Sequence, residues 1–218
     1  MAGTDFTIIA CLAACGALVV SECRGWKASR AIFKTAASTA FLALAVQLDA
    51  TASAYGQLIL VALVLSWVGD VLLLSQKSLV FLLGLASFLL AHVVFSGAFA
   101  LRPIDGTALI VGLALMSCIG ISVLVWLWHH LKTFYRVAVT AYVMAIVAMC
   151  TLAIAVSAAS GAWLLASGAL IFALSDIAVA RDRFVAPGSI NRVWGLPLYY
   201  MAQIIFALSL GGAPIVAA

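Results

Sequence analysis

Apolar residues run along this chain in blocks of about 20, separated by short polar or Gly/Pro-containing breaks, and each block has the length a helix needs to cross a bilayer. Eight such blocks are read, at 6–21, 31–48, 55–75, 79–101, 107–128, 135–157, 161–180 and 193–213. The runs are continuous and do not alternate strictly, so the pattern predicts helices and argues against a closed β-barrel, the other architecture that spans lipid. No break is long enough for a soluble appendage. Residues 1–218 are therefore expected to form a single integral membrane domain, an all-α membrane protein of eight transmembrane helices. Composition agrees: 67% of the 218 residues are hydrophobic, 8% are charged, and the mean hydropathy is +1.28. Nothing basic precedes the first block, where Asp5 is the only charge before Glu22, so it is expected to be a retained helix and not a secretory signal. The five cysteines form no CxxC pair, and all but Cys23 lie in apolar runs, where cysteine acts as a small hydrophobe.

The net charge of +4 matters less than where the bases fall. Arg24, Lys27, Arg30, Lys34, Lys77, Lys132, Arg136, Arg181, Arg183 and Arg192 lie around the breaks after helices one, three, five and seven, and only Arg102 lies on the other side. The positive-inside rule makes those breaks cytoplasmic, which puts both termini outside and, in a bacterium, the chain in the inner membrane.

An internal repeat is also expected. Arg30 and Arg136, which open the second and sixth helices, are 106 residues apart, as are Asp70 and Asp176, which lie near the ends of the third and seventh. Each aspartate follows its arginine by 40 residues, which implies two parallel four-helix repeats, 1–103 and 104–218, with functional groups gathered between them.

At about 1.5 Å of rise per residue, Lys34, Asp70, Tyr142, Asp176, Tyr199 and Tyr200 all fall roughly 6–12 Å below the cytoplasmic helix ends. Ionisable groups at such depth face the bundle interior, pair with one another and mark function. Each also has a plainer reading. The aspartates serve equally as polar glue between helices, Lys34 as a snorkelling cation, and His92 and Gln203 as hydrogen-bonded core residues deeper in the bundle. One of Tyr199 and Tyr200 is expected to belong to the aromatic belt, and His129 and His130, beside Trp126 and Trp128, are expected to be interfacial anchors. No HExxH, GxSxG, Walker or paired-cysteine motif is present, so neither a metal nor another cofactor is expected. Carboxylates, a lysine, a histidine and tyrosines make an acid/base set. A small-solute or lipid transporter would also show duplicated halves and buried carboxylates, although few Gly/Pro breaks interrupt the aspartate-bearing helices. A structural membrane protein is the third class.

The strings VGDVLLL, SFLLAHVVFSGAF, TAYVMAI, GALIFALSDIAVARDRF and YYMAQIIFALS extend from helix three to helix eight, and through them the chain from about Lys34 to Ser209 resembles the YhhN-like lysoplasmalogenase family of eight-helix membrane proteins. The resemblance implies hydrolysis of the vinyl-ether bond of a lysophospholipid, giving a fatty aldehyde and glycerophosphoethanolamine or glycerophosphocholine. Membrane lipids are the implied partners, with no nucleic acid. The residues it implies for the polar site are Lys34, Asp70, His92, Tyr142, Asp176, Tyr200 and Gln203, with Tyr199 alongside. Enol-ether hydrolysis proceeds by protonation of the β-carbon, capture of the oxocarbenium ion by water, and collapse of the hemiacetal. Two carboxylates in different surroundings supply an acid, a negative partner and a base, as the pair does in glycoside hydrolysis. Asp70 and Asp176 are the expected catalytic pair. Lys132, Arg136, Arg181, Arg183 and Arg192 are candidates for holding the phosphate, or topology signals only.

Overall fold

A computed structural model describes residues 2–75 and 77–211, with the side chain of Ala2 excepted. Eight long helices fill the described residues: α1 (Ala2–Arg24), α2 (Lys27–Gln47), α3 (Ala54–Leu72), α4 (Ser78–Phe99), α5 (Gly106–Trp128), α6 (Thr133–Ser160), α7 (Leu164–Ala180) and α8 (Ser189–Leu208). Single 3-10 turns follow α2 (Ala50–Ala52) and α8 (Ser209–Gly211), and a π-helical turn (Arg181–Val185) extends α7. Every apolar block of the sequence is thus a helix, with ends shifted by a few residues as fraying and capping allow. The last two residues of the 193–213 block, like the chain termini at Met1 and Ala218, lie outside the described residues.

The helix ends have local causes. Ser53 and Asp105 cap α3 and α5 by accepting from the backbone N–H of Gly56 (3.0 Å) and Ala108 (2.7 Å). Gly161, at φ 72°, closes α6 in the left-handed conformation that a residue without Cβ adopts readily. Gly25, at φ 69°, does the same between α1 and α2.

Seven of the eight helices are long and apolar enough to cross a membrane. The exception is α2, in which Lys27, Arg30, Lys34 and Gln47 dilute the apolar residues. The expectation of eight crossings is therefore met by composition at seven helices.

Consecutive helices pack as antiparallel hairpins: α1 on α2, α3 on α4, α5 on α6, and α7 on α8. The hairpins join through α2 on α3, α6 on α7, α4 on α6, and α8 against both α1 and α2. On α5 only Gly112, Met116, Gly120 and Leu127 are buried, a narrow stripe of which half is glycine. A Cβ on Gly120 would stand 2.8 Å from a methyl group of Val147 in α6, so this close approach requires glycine. Most of the rest of α5, including Ile110, Val111, Ile121 and Val125, is exposed, as a lipid-facing surface requires. Aromatic rings occupy the centre. Phe95 packs at a tilt against Phe206 (4.4 Å between centroids), and Phe172 contacts both Phe206 (6.1 Å) and Tyr199 (5.7 Å). This ring cluster is the floor beneath the polar site.

Candidate active site

Asp70 lies two residues before the end of α3, and Asp176 four before the end of α7. Both carboxylates sit where the negative end of a helix dipole disfavours them, so each needs cations or hydrogen-bond donors from other helices. Helices α2 and α8 serve Asp70. The Lys34 Nζ is 3.2 Å from its Oδ1, while the Ser38 Oγ (2.6 Å) and the Tyr199 hydroxyl (2.7 Å) both donate to its Oδ2. Lys34 and Ser38 are four residues apart and therefore share one face of α2. The Tyr200 hydroxyl, 3.2 Å from both Ser38 Oγ and the Lys34 carbonyl, braces this set from behind. Asp70 is buried with all its partners in place.

Helices α6 and α4 serve Asp176 more sparingly. The Tyr142 hydroxyl donates to its Oδ1 at 3.1 Å, and the His92 Nε2 faces its Oδ2 at 3.2 Å. That second contact is close but out of line for a hydrogen bond, and among the described residues neither atom has another partner. The other ring nitrogen of His92, Nδ1, is 2.7 Å from the Phe88 carbonyl, which can only accept, so Nδ1 carries a proton. A neutral ring with Nδ1 protonated presents a lone pair at Nε2. Nε2 accepts in that neutral ring and donates in a doubly protonated one, so a single proton placed on either atom would let the two groups bond to each other. The imidazole is held in place by the rings of Phe172 (4.5 Å) and Tyr142 (5.1 Å).

A cavity of about 330 Å³ reaches both aspartates. Asp70, Asp176, Tyr142, Tyr199 and Phe88 line its depth, and Glu22, Arg30, Asp182, Arg183 and Arg192 line its mouth. The mouth is cross-linked by charge. Glu22 of α1 meets Arg192 (2.9 Å) and Arg30 (3.8 Å), and Arg192 also meets Asp182 (3.1 Å). Asp182 in turn accepts from the backbone N–H of Gly188 (2.8 Å) and from Asn191. The close passage of α8 over α7 depends on Gly195, where a Cβ would stand 2.5 Å from that of Ala178.

The structure thus brings Lys34, Asp70, His92, Tyr142, Asp176, Tyr199 and Tyr200 into one connected group. The expectation that one of the paired tyrosines belongs to the aromatic belt is corrected: Tyr199 and Tyr200 are 6% and 0% exposed, because several neighbours enclose α8. Gln203 is buried one turn deeper, outside the cavity lining, and both ends of its amide lack a partner among the described residues. His129 and His130 are exposed at the end of α5, with His130 Nδ1 3.3 Å from the Trp126 carbonyl. Of the five bases considered for the phosphate, Arg183 and Arg192 line the cavity. Arg136 stacks over Trp128 (4.8 Å), Arg181 bonds to Asn191, and Lys132 lies outside the lining. Sequence reading missed Ser38, which its spacing from Lys34 would have flagged, and the ion network at the mouth, which no local pattern announces. Among the described residues no group of three His, Cys, Asp or Glu gathers as a metal site.

A model of the YhhN family matches residues 29–210. The lysoplasmalogenase TMEM86B of Sus scrofa is 36% identical over 154 residues, covering 70% of this chain and 63% of its own length. The lysoplasmalogenase TMEM86A of Homo sapiens is 34% identical over 157 residues, covering 69% and 64%, and a lysoplasmalogenase of Mycobacterium tuberculosis (strain CDC 1551 / Oshkosh) is 34% identical over 145 residues, covering 64% and 53%. The chain therefore spans less than two thirds of the length of these curated relatives. No solved structure matches it.

Proposed function

This chain belongs to the YhhN family, and we propose that it is a membrane hydrolase that cleaves the vinyl-ether bond of lysoplasmalogens to a fatty aldehyde and a glycerophosphoethanolamine or glycerophosphocholine. The names of the relatives support the reaction. The observation that carries it in this chain is the Asp176–His92 pair: Asp176 lines the cavity, and behind it the Oδ2 and Nε2 atoms face each other at 3.2 Å with no other partner among the described residues.

The two carboxylates take different roles in this reading. Asp176 with His92 delivers its proton to the β-carbon of the enol ether, and the double bond becomes an oxocarbenium ion. The same unit then takes a proton from the water that attacks the α-carbon, which restores the acid, and the hemiacetal collapses to aldehyde and alcohol. One water is consumed and no redox change occurs. Asp70, already matched by Lys34, Ser38 and Tyr199, holds Tyr199 and the α2–α3–α8 junction in place and keeps a fixed negative charge near the developing cation. Positioned proton transfer is worth about 10²–10⁴-fold, and the remainder comes from orientation and electrostatics in a closed pocket. Purified protein should release aldehyde from a vinyl-ether lysolipid and none from its ester analogue. Absence of aldehyde from the vinyl ether would overturn the assignment and reopen the transporter class.

The architecture carries three further proposals. Helix α2, 21 residues and so about 30 Å long, is the eighth crossing; it runs between α1 and α3 with Lys34 turned to Asp70. The two halves are parallel repeats. The packing of α2 on α3 corresponds to that of α6 on α7, and Asp70 is served from α2 and α8 as Asp176 is from α6 and α4. The mouth of the cavity opens to the cytoplasmic leaflet, because the bases cluster at that end. A reporter fused after Ala218 should accordingly be active outside the cytoplasm. Activity confined to the cytoplasm would reverse the orientation and move the site to the other leaflet.

A further inference from the structure

The charges around the cavity do not cancel evenly. Lys34 is neutralised by Asp70, Arg192 by Asp182 and Glu22, and Arg30 is held between Glu22 and the Leu74 carbonyl (3.2 Å). Arg183 also lines the cavity, yet among the described residues no carboxylate pairs with it. The Cζ of its guanidinium lies over the Phe81 ring, 4.1 Å from the centroid, a cation–π contact that holds the side chain at the rim and uses none of its N–H donors. The turn that bears it is itself anchored. Phe184 packs edge-on against Phe81 (6.4 Å) and against Tyr135 (5.3 Å), so Arg183 is held at the rim by aromatic contacts on both flanks of α7.

We propose that Arg183 binds the phosphodiester of the lipid substrate, and that this contact sets how deep the vinyl ether sits. The proposal rests on the lysoplasmalogenase reading for the identity of the lipid. Arginine suits a phosphodiester because its planar fork offers two parallel donors to two oxygens. The reach also fits. Arg183 lies seven residues beyond Asp176, or roughly 10 Å along the helix axis. In a lysoplasmalogen seven bonds separate the phosphorus from the β-carbon that must be protonated, roughly 9 Å when extended. A phosphate held at Arg183 therefore brings the β-carbon to the Asp176–His92 pair, whereas one bound to the inward cations would carry the enol ether past it. The choice among the three arginines at the mouth follows from pairing: Arg30 and Arg192 must break existing ion pairs before they bind an anion, and Arg183 need not.

The test measures binding, so it does not depend on turnover. The probes are a saturated 1-O-hexadecyl lysophosphatidylethanolamine, which cannot undergo enol-ether hydrolysis, the corresponding 1-O-hexadecylglycerol without phosphate, and inorganic phosphate as competitor. Arg183→Gln should weaken binding of the phospholipid by about tenfold or more and leave that of the alkylglycerol within twofold. Arg183→Lys should fall between, since it keeps the charge and loses the fork. Millimolar inorganic phosphate should not displace the lipid. Equal losses for both lipids would indicate a structural role for Arg183, no loss for either would remove it from the site, and displacement by inorganic phosphate would make it a general anion site. Each of these overturns the proposal. Failure of aldehyde release with this binding pattern intact would overturn the reaction and leave the phosphate contact standing.

Discussion

Replacing Asp176 by Asn should lower aldehyde release by about 10²–10⁴-fold while the purified protein keeps its thermal unfolding temperature within a few degrees. The substitution is unusually clean because of what Asp176 touches. Its Oδ1 accepts from Tyr142, and the Asn carbonyl accepts equally well. Its Oδ2 faces His92 Nε2, and the Asn amide donates to the lone pair of a neutral imidazole there. Shape and contacts survive, and only the transferable proton is lost. His92→Gln should produce a loss of the same order, and the double variant should be little worse than either single one, since the two residues form one acid/base unit. Turnover within a few-fold of the parent in Asp176→Asn would end the proton-transfer role and return this carboxylate to the polar-glue reading. Additive losses would mean that the two residues act separately.

Asp70→Asn should behave differently, lowering both stability and turnover. It removes the counter-charge of Lys34, whose side chain is only 12% exposed, and breaking a buried pair from one side costs about 3–5 kcal/mol. Loss of the acceptor charge also weakens the bonds from Ser38 (2.6 Å) and Tyr199 (2.7 Å), which tie α2 and α8 to α3. In detergent the unfolding temperature should drop well below that of Asp176→Asn. Adding Lys34→Met to Asp70→Asn removes the stranded cation and should recover most of the stability, because replacing both members of a buried pair is often nearly neutral. Turnover should stay low in the double variant, since the fixed negative charge is still missing. If activity returns along with stability, Asp70 is structural alone. If Asp70→Asn does not destabilise at all, the ion pair contributes nothing to the fold.

These two aspartates also mark how far the sequence could be read. Their places near the C-terminal ends of α3 and α7 were legible, because each lies close to the end of an apolar run. Their difference was not. Asp70 and Asp176 occupy equivalent places in a 106-residue spacing, yet one meets a lysine and two hydroxyls and the other a tyrosine and a histidine. Those partners come from helices up to 129 residues away, and which of them arrives is decided by how the hairpins dock. The paired tyrosines make the same point. On a helix with one lipid-facing side, adjacent residues diverge by about 100°, so one of Tyr199 and Tyr200 should point outward. Neighbouring helices cover α8 on both of those faces, and both rings turn inward.

The sequence by itself determined that this chain is a membrane protein built of helices and where each helix lies, because the bilayer demands about 20 apolar residues per crossing and internal pairing of every backbone amide, and both demands are written locally. It also determined the polar residues that lipid would not tolerate without partners. The tertiary structure alone decided which carboxylate has its hydrogen bonds filled and which keeps a buried oxygen without one, that Ser38 joins the site, and that among the described residues Arg183 is left without a counter-charge while Arg192 and Arg30 are not. The physical reason is range. Helix formation is settled by neighbours three and four residues away, whereas the state of a buried charge depends on whichever groups packing brings within about 4 Å of it, and those are distant in the chain.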